Sequence, residues 1–424
     1  MAGASPTESR SYDVAVIGCG RVGLPLALAF ADHGLRTLGV ENDAERLASV
    51  SERRMPFEEP GADEVLQRVE IDWSSRAADA AQADAIVLTL GTPSFSHIEI
   101  DMRDIRAVLD DLLPVLRPGH LLVLRSTIAP RTTEFVAGYI EKHLDLEVGR
   151  DVFVAHVPER IAAGRFFEEI GSLPCIVGGV GEASGAAAGA LFEPLGAPIV
   201  QTTPVEAELA KIWTNILRYA MFALPNRLMM ECEQYDANVF EVIELINRDY
   251  PRGGMPQPGF TAGTCLRKDF TFSEERSPAP GMLLAVSRVH ESVPLFIVEG
   301  LKRRLGSLRG RKVAVLGLAF KADTDDERDS LAHKLIRLLE RELADVAIHD
   351  PHVPTPTQSF EDAILDADAV VIATNHHEFR GRQVLAAIAD SAKGDAVLAD
   401  PWDCFDTKKV FSRPAELVAS APLS

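Results

Sequence analysis

Val14-Ala15-Val16-Ile17-Gly18-Cys19-Gly20-Arg21-Val22-Gly23-Leu24-Pro25-Leu26-Ala27 is the stretch on which the reading of this chain turns. Four apolar residues form a short buried strand and run into a G-x-G-x-x-G turn. An Ala/Leu-rich helix follows, from about Leu24 to His33. In that setting the first glycine permits the tight turn, the second lets a pyrophosphate approach, and the third packs helix on strand. The helix N-terminus then faces the phosphate. Arg36 to Val40 is the next strand, and Glu41 ends it, 23 residues after Gly18. A carboxylate there accepts hydrogen bonds from an adenosine ribose diol and repels a 2′-phosphate, so NAD is expected rather than NADP. Gly18, Gly20, Arg21, Val22, Gly23 and Glu41 are the candidate cofactor contacts. Arg46 is a further one, and as a nearby cation it leaves the 2′-phosphate question open. A glycine-rich turn that serves some other ligand is the plainer alternative.

Outward from this turn, Ala85 to Leu88 and Leu121 to Leu124 are further apolar runs, and Val152 to Ala155 and Cys175 to Val177 are candidates near the far edge. Short apolar runs alternating with helices indicate a parallel sheet covered on both faces. From Val205 to about Cys232, Val239 to Ile246 and Met282 to Leu305 the apolar spacing is helical. A Gly/Pro-rich loop, Tyr250 to Thr264, interrupts them. The alternation returns with strands at Lys312 to Leu316, Val346 to Ile348, Ala369 to Ile372 and Ala396 to Leu398, and a helix from Leu331 to Arg341. The expected fold is α/β, with two Rossmann-like parallel-sheet domains joined by a central helical region. Its divisions are 1–203, 204–305 and 306–424.

Composition narrows the function. Among 424 residues, 63 Asp+Glu oppose 43 Lys+Arg for a net charge of −20, which argues against nonspecific nucleic-acid binding. No apolar run approaches the roughly 20 residues of a membrane span, and Met1 to Ser11 has no apolar signal core. Five scattered cysteines make no disulfide framework. A cytoplasmic enzyme is expected, with no nucleic-acid or membrane partner. His349-Asp350-Pro351-His352 and His376-His377 contain metal-ligand residue types without a metal-specific spacing, so no metal is expected there.

The sharpest local signal is Gly259-Phe260-Thr261-Ala262-Gly263-Thr264-Cys265-Leu266-Arg267-Lys268-Asp269. A helix starting near Cys265 would favour its thiolate through the N-terminal dipole, with Lys268 adding to the effect. Asp269, four residues on, would share its face. A small apolar cysteine beginning a helix is the competing account. Lys211 and Asn215 stand at i and i+4 on a helix, as a paired ammonium and amide or as an ordinary solvated face. Pro158-Glu159-Arg160 and Arg125-Ser126-Thr127 end strands at the edge that the glycine turn occupies.

Together these segments resemble the UDP-glucose/GDP-mannose dehydrogenase family. The matching stretches are Gly18 to Ala27 (GCGRVGLPLA), Ser126-Thr127, Pro158 to Arg160, Glu206 to Asn215 (EAELAKIWTN), Gly259 to Asp269 and Lys312 to Ser330 (KVAVLGLAFKADTDDERDS). They keep family order over roughly residues 12 to 410. The resemblance implies an NAD-dependent, four-electron oxidation of a sugar C6 hydroxyl to the acid through a Cys265 thioester. It implies that Lys211 and Asn215 stabilise oxyanions, that Asp269 orients or activates water, and that Glu159 does acid–base work. Thr127 would hold a water or the nicotinamide region, and Thr92 would contact the cofactor. For the substrate, a nucleotide diphosphate sugar, it implies Glu159, Arg160, Lys211, Asn215, Arg252, Gly259, Phe320, Lys321 and Arg328. Arg252 would act across a dimer interface, in a homodimer or higher homo-oligomer.

The chain departs from the family loop Gly-Gly-x-Cys-Leu-Pro-Lys-Asp at Ala262 and Arg267. His290 stands where many relatives have Asn, and Ala163 where relatives often have a second Glu. Pro158-Glu159-Arg160-Ile161 and Asn247 to Gly253 look most like the branch acting on UDP-N-acetylhexosamines, with UDP-glucose as the alternative. The rivals are a two-electron β-hydroxyacid-type dehydrogenase, which needs neither Cys265 nor a second α/β unit, and a non-catalytic nucleotide-binding protein.

Overall fold

A computed structural model describes residues 11–91, 103–261, 263–274 and 277–420. The chain divides into two compact units, one comprising residues up to 214 with 271–275, the other 215–270 with the residues from 276 onward.

The first unit is built on eight strands: β1 (Tyr12–Ile17), β2 (Thr37–Val40), β3 (Ile71–Ser74), β4 (Ala83–Leu88), β5 (Leu121–Leu124), β6 (Phe153–His156), β7 (Cys175–Gly179) and β8 (Ile199–Thr202). Their order in the sheet is β3-β2-β1-β4-β5-β6-β7-β8. All neighbours are parallel except β6 and β7, which run antiparallel. Alternate residues of β1, Ala15 and Ile17 on one side and Val14 and Val16 on the other, enter separate apolar layers. Both faces are therefore buried, which is why the strand reads as a continuous apolar run. Two strands carry no clear signal in the sequence. In β3 the side chains Ile71, Asp72, Trp73 and Ser74 are all partly or fully exposed, and β8 is an edge strand with Val200 and Gln201 exposed.

The second unit holds β9 (Lys312–Leu316), β10 (Asp345–His349), β11 (Ala369–Ile372), β12 (Val397–Ala399) and β13 (Phe411–Ser412), in the order β10-β9-β11-β12-β13. Only the short β13 pairs antiparallel. One face of this sheet packs on helix Leu331–Arg341 and on the central helices, through Phe240, Ile243, Val293, Ile297 and Leu301. Helix Val239–Asn247 begins at Asn238, whose side chain accepts the amides of Phe240 and Glu241, the expected N-cap chemistry. Helix Thr264–Glu274 follows the glycine-rich loop and helix Met282–Leu305 follows it in turn. The long helix Pro204–Gln234 starts with a capping box: Thr203 Oγ1 accepts from the Glu206 amide while the Glu206 carboxylate accepts from the Thr203 amide.

Candidate active site

In the first unit the strand order reverses between β1 and β4, and folds of this kind bind ligands at the carboxyl ends of the strands beside that reversal. The glycine turn lies there. Gly18 has φ +92°, and a Cβ on Gly23 would sit 2.1 Å from the Gly18 carbonyl oxygen and 2.3 Å from Thr89 Oγ1. At Gly20 a Cβ would meet only Arg46 Nη1, at 3.7 Å, so that face of the turn is open. Thr89 Oγ1 donates to the carbonyls of Ile17 (2.9 Å) and Gly18 (2.5 Å). Thr89 belongs to no motif; its place just past an apolar strand is its only signal in the sequence. Cys19 is buried, and burial, with Glu41 nearby, pushes its thiol up to about 12, so it is a core residue of the turn.

Glu41 is only 3% exposed. Its Oε1 accepts the Asp43 amide (2.9 Å) and its Oε2 accepts Arg46 Nη1 (2.8 Å). Arg46 also reaches Asp43 Oδ2 at 3.2 Å. The cation that left the 2′-phosphate question open is thus engaged by two carboxylates and orients Glu41. Helix Gly23–Asp32 has no side-chain cap on its first amides. An open glycine face, a helix N-terminus and a buried carboxylate suit a dinucleotide pyrophosphate and its ribose diol. Arg21 stacks on the Phe57 ring, 5.0 Å from its centroid.

A second group in this unit surrounds the ends of β5 and β6. Arg125 is buried, donates to the carbonyls of Val157 (3.1 Å) and Pro158 (3.4 Å), lies 5.1 Å from the Phe192 ring centroid and ion-pairs with Glu159. The other Glu159 oxygen accepts the Ile161 amide at 2.7 Å. Both carboxylate oxygens are therefore held by the chain, and Arg125 is a functional candidate that the sequence presents only as the start of Arg125-Ser126-Thr127. Arg160 donates to the Pro174 carbonyl, and Ser126 Oγ to the Leu90 carbonyl at 2.6 Å. Thr127 is half-buried in the same turn. His156 is fully buried with Nδ1 on the Leu124 carbonyl (2.9 Å); burial, with the positive charges of Arg125 and Lys211, pushes it down to about 3. Lys211 thus belongs electrostatically to this group. Its helix is anchored one turn earlier by buried Glu208, which accepts from the amides of Arg131 (2.6 Å) and Thr133 (2.9 Å) and from Thr133 Oγ1 (2.6 Å).

The thiol lies in the second unit. Cys265 is exposed at the start of helix Thr264–Glu274, and none of the five cysteines forms a disulfide. The preceding loop is gripped at Gly259, whose amide donates to Asn226 Oδ1 (2.8 Å) and whose carbonyl accepts Asn226 Nδ2 (2.9 Å). Gly263 has φ +98°, and a Cβ there would meet the Phe320 ring at 2.6 Å, which brings the predicted Phe320 onto the thiol loop. Asn215 Nδ2 donates to Asp269 Oδ2 at 2.5 Å, and Lys268 Nζ is 4.0 Å from Asp269 Oδ1. Arg328 forms a two-pronged pair with Asp326 (2.9 and 2.7 Å), which raises the guanidinium pKa; a thiolate at Cys265 would add to the shift. Asn215, Cys265, Lys268, Asp269, Phe320 and Arg328 therefore form one group. Arg252 packs on the Tyr250 ring, 4.6 Å from its centroid.

Comparison with known proteins agrees with the fold. The UDP-glucose/GDP-mannose dehydrogenase family descriptions match in order: the NAD binding domain over residues 12–196, the central domain over 205–290 and the UDP binding domain over 314–409. The chain belongs to the UDP-glucose/GDP-mannose dehydrogenase family. It is 32% identical over 378 residues to a UDP-N-acetyl-D-mannosamine dehydrogenase of Pyrococcus horikoshii, covering 87% of this chain and 90% of that one. A solved UDP-D-ManNAc dehydrogenase structure from Pyrococcus horikoshii superposes with TM-score 0.84 at 31% identity, covering 90% of this chain and 93% of the other. The UDP-N-acetyl-mannosamine dehydrogenase of S. aureus gives 0.80 at 30% identity, covering 90% and 92%. As a member of this family the protein is an NAD-dependent nucleotide-sugar dehydrogenase.

Two expectations for this family site, Thr92 as a cofactor contact and the effect of Ala262 on the loop, lie outside the described residues. The departures at Arg267 and His290 have structural consequences. Arg267, in the place of the family proline, pairs with Glu291 (2.8 Å) and Asp329 (3.3 Å). Buried His290 donates Nε2–H to the Tyr219 carbonyl (2.8 Å), stacks on the Tyr219 ring (4.3 Å) and presents Nδ1 to Asn226 Nδ2 at 3.3 Å. It thereby supports the asparagine that grips the thiol loop.

His156 and His290 predict an acid-sensitive stability. Burial holds them neutral, at about 3 and about 4 against 6.5. Their contribution is complete above pH ~6.5 and is lost as pH falls toward the folded values. Asp400, pushed up to about 6 by burial, acts in the opposite sense below that pH. In urea unfolding, His290→Asn should lose less stability than the parent between about pH 7.5 and about pH 5. An equal loss in the two proteins would contradict this assignment.

Proposed function

We propose that this chain oxidises the C6 hydroxyl of a UDP-N-acetylhexosamine to the uronic acid, removing four electrons through a covalent intermediate on Cys265. The supporting observation is the exposed Cys265 beginning a helix, on an electrostatically coupled footing with Arg328 and one turn from buried Asp269. NAD, held at the glycine turn by Gly18, Gly20, Val22, Gly23 and Glu41, supplies the electron acceptor for both oxidations.

The protein residues do the rest. After the first oxidation gives the C6 aldehyde, the Cys265 thiolate adds to the carbonyl carbon, forming a C–S bond and an oxyanion. Lys211 supplies positive charge for that oxyanion, and Asn215, donating Nδ2 to Asp269 Oδ2, holds that side chain in place. The second oxidation converts the adduct to a thioester. Water, oriented by Asp269, cleaves the C–S bond, releasing the carboxylate and restoring the thiol. Glu159, with both oxygens engaged by Arg125 and the Ile161 amide, positions the sugar together with Arg160. Thr127 lies beside the nicotinamide. Phe320, Lys321, Arg328 and the Gly259 loop receive the nucleotide sugar.

We assign the cofactor-binding part to residues 1–203, the helical linker and dimerisation part to 204–305 and the nucleotide-sugar part to 306–424. The preference for an N-acetylhexosamine rests on the relatives, two of which are named for UDP-N-acetylmannosamine. UDP-glucose is the second reading, favoured by the 0.79 TM-score at 28% identity to a Pyrobaculum islandicum UDP-glucose dehydrogenase, over 89% of this chain and 93% of that one. A homodimer is inferred from helix Pro204–Gln234. Leu209, Trp213, Leu217, Met221 and Leu224 recur along it at three- and four-residue spacing and are 37–61% exposed. Leu217→Asp/Leu224→Asp should sediment as a monomer; an unchanged mass would contradict the assignment, as would a monomeric parent. We place the enzyme in the cytoplasm, where a thiol nucleophile stays reduced and nucleotide sugars are made. No described helix is long and apolar enough to cross a membrane. Recovery outside the cytoplasm on cell fractionation would contradict that location.

Incubation with UDP-N-acetylmannosamine, UDP-N-acetylglucosamine and UDP-glucose, read by NADH release and product mass, tests the proposal. Two NADH per sugar acid are expected on the preferred substrate; one NADH per sugar would reduce the enzyme to a two-electron dehydrogenase. Cys265→Ser should lower acid formation by about a thousandfold or more with NAD affinity unchanged. Undiminished acid formation would remove the covalent role.

A further inference from the structure

In the second sheet the order reverses between β9 and β11, so the crevice that such folds use for ligands opens between the loops following these two strands. The loop after β9 carries Phe320 and Lys321. Two buried side chains from neighbouring strand ends give that loop its shape. Asp350, just past β10, has a fully buried side chain. Its Oδ2 accepts the amides of Leu318 (2.6 Å) and Ala319 (3.0 Å) and His376 Nε2 at 3.1 Å, while its Oδ1 accepts the amides of His352 (2.8 Å) and Val353 (3.2 Å).

His376, past β11 and likewise fully buried, completes the arrangement. With Nε2–H donated to Asp350, its Nδ1 is an acceptor and takes the Asp323 amide at 2.9 Å. Thr374 Oγ1 adds a bond to the Ala319 carbonyl at 2.6 Å. The loop is thus held at Leu318 and Ala319 on one side and at Asp323 on the other, and residues 320–322 span the interval. Burial alone would raise the Asp350 carboxyl; the His376 ring and the Ala319 and Leu318 amides outweigh it and hold the group below the ordinary carboxylate range. A charge fixed in this way keeps the His376 tautomer fixed as well.

We propose that Asp350 and His376 form a positioning pair that fixes the 318–323 loop and thereby sets the affinity for the nucleotide part of the substrate, leaving NAD binding untouched. The inference rests on the reading that Lys321 contacts the nucleotide sugar. A metal is the competing use of these side chains, because Asp323, His352, His376 and Glu378 bring ligand-type atoms within 4.8 Å of one another. The bonding argues against it. Both His376 ring nitrogens are engaged by the chain, and the Asp323 carboxylate accepts from the amide and ring of His377. A cation at His376 Nδ1 would have to displace the Asp323 amide that ends the loop.

Isothermal titration of the full chain with UDP and, separately, with NAD provides the test. His376→Ala should weaken UDP binding by about tenfold or more and leave NAD affinity within about twofold. His376→Asn, whose amide oxygen can still accept the Asp323 amide, should recover part of the loss. Lys321→Ala should also weaken UDP, and the double variant should be no weaker than the poorer single variant by more than about twofold. An unchanged UDP affinity in His376→Ala, an equal loss for NAD, or fully additive losses in the double variant would overturn the pair. Unchanged UDP affinity in Lys321→Ala would remove the Lys321 reading alone, and the pair then stands or falls on the His376→Ala result. Stoichiometric zinc binding that His376→Ala abolishes would assign the cluster to a metal and overturn the proposal.

Discussion

The close approach of backbone to backbone between Gly23 and Gly18 in the first unit is the constraint from which the cofactor end follows. No side chain fits at position 23, because its first atom would lie 2.1 Å from the Gly18 carbonyl oxygen. Removing that atom brings helix Gly23–Asp32 down onto the end of β1. It also brings Thr89 across from β4, so the two strands beside the topological reversal close on each other through a hydroxyl. The second unit uses the same device around its thiol. Gly263 has no room for a side chain against the Phe320 ring, and this couples the loop carrying Cys265 to the loop that we assign to the nucleotide.

The charge of −20 and two anionic ligands are reconciled by how the cations near the site are held. Arg46 is tied to Glu41, Arg125 to Glu159 and Arg328 to Asp326. Each pair orients a planar group and lowers the cost of burying it. In the cofactor region the main chain supplies much of the polarity, through the amides at the glycine turn and the helix N-terminus that follows it. Such dipoles bind anions and developing oxyanions without a net positive surface. The remaining acidic surface disfavours nucleic acid and aids solubility.

Much of this was legible in the sequence where a local rule sufficed. Strands β1, β4, β5, β9 and β11 are buried on both faces and announce themselves as apolar runs; the glycine turn and Glu41 are fixed by spacing. Strands β3 and β8 were not legible, because their partly exposed residues lack both continuity and alternation. At the site, Cys265, Asp269, Asn215 and Phe320 could be named from motifs, and the structure brings these four together. Thr89, Asn226 and the Asp350–His376 pair could not, because their roles are hydrogen bonds to main-chain groups far away in sequence, which leave no periodicity. Arg46 shows the converse limit. Its position suggested a competing phosphate ligand, and only its two carboxylate contacts reveal it as a support for Glu41.

The central claim is a covalent bond between Cys265 and the sugar C6 carbon during turnover. Acid quenching within the first turnovers in the presence of NAD and the preferred UDP-sugar, followed by intact mass and peptide mapping, measures it directly. A protein mass increased by the oxidised sugar nucleotide, mapped to the peptide containing Cys265 and absent from Cys265→Ser, is the predicted result. Acid product forming at full rate with no adduct at any time point would contradict the account.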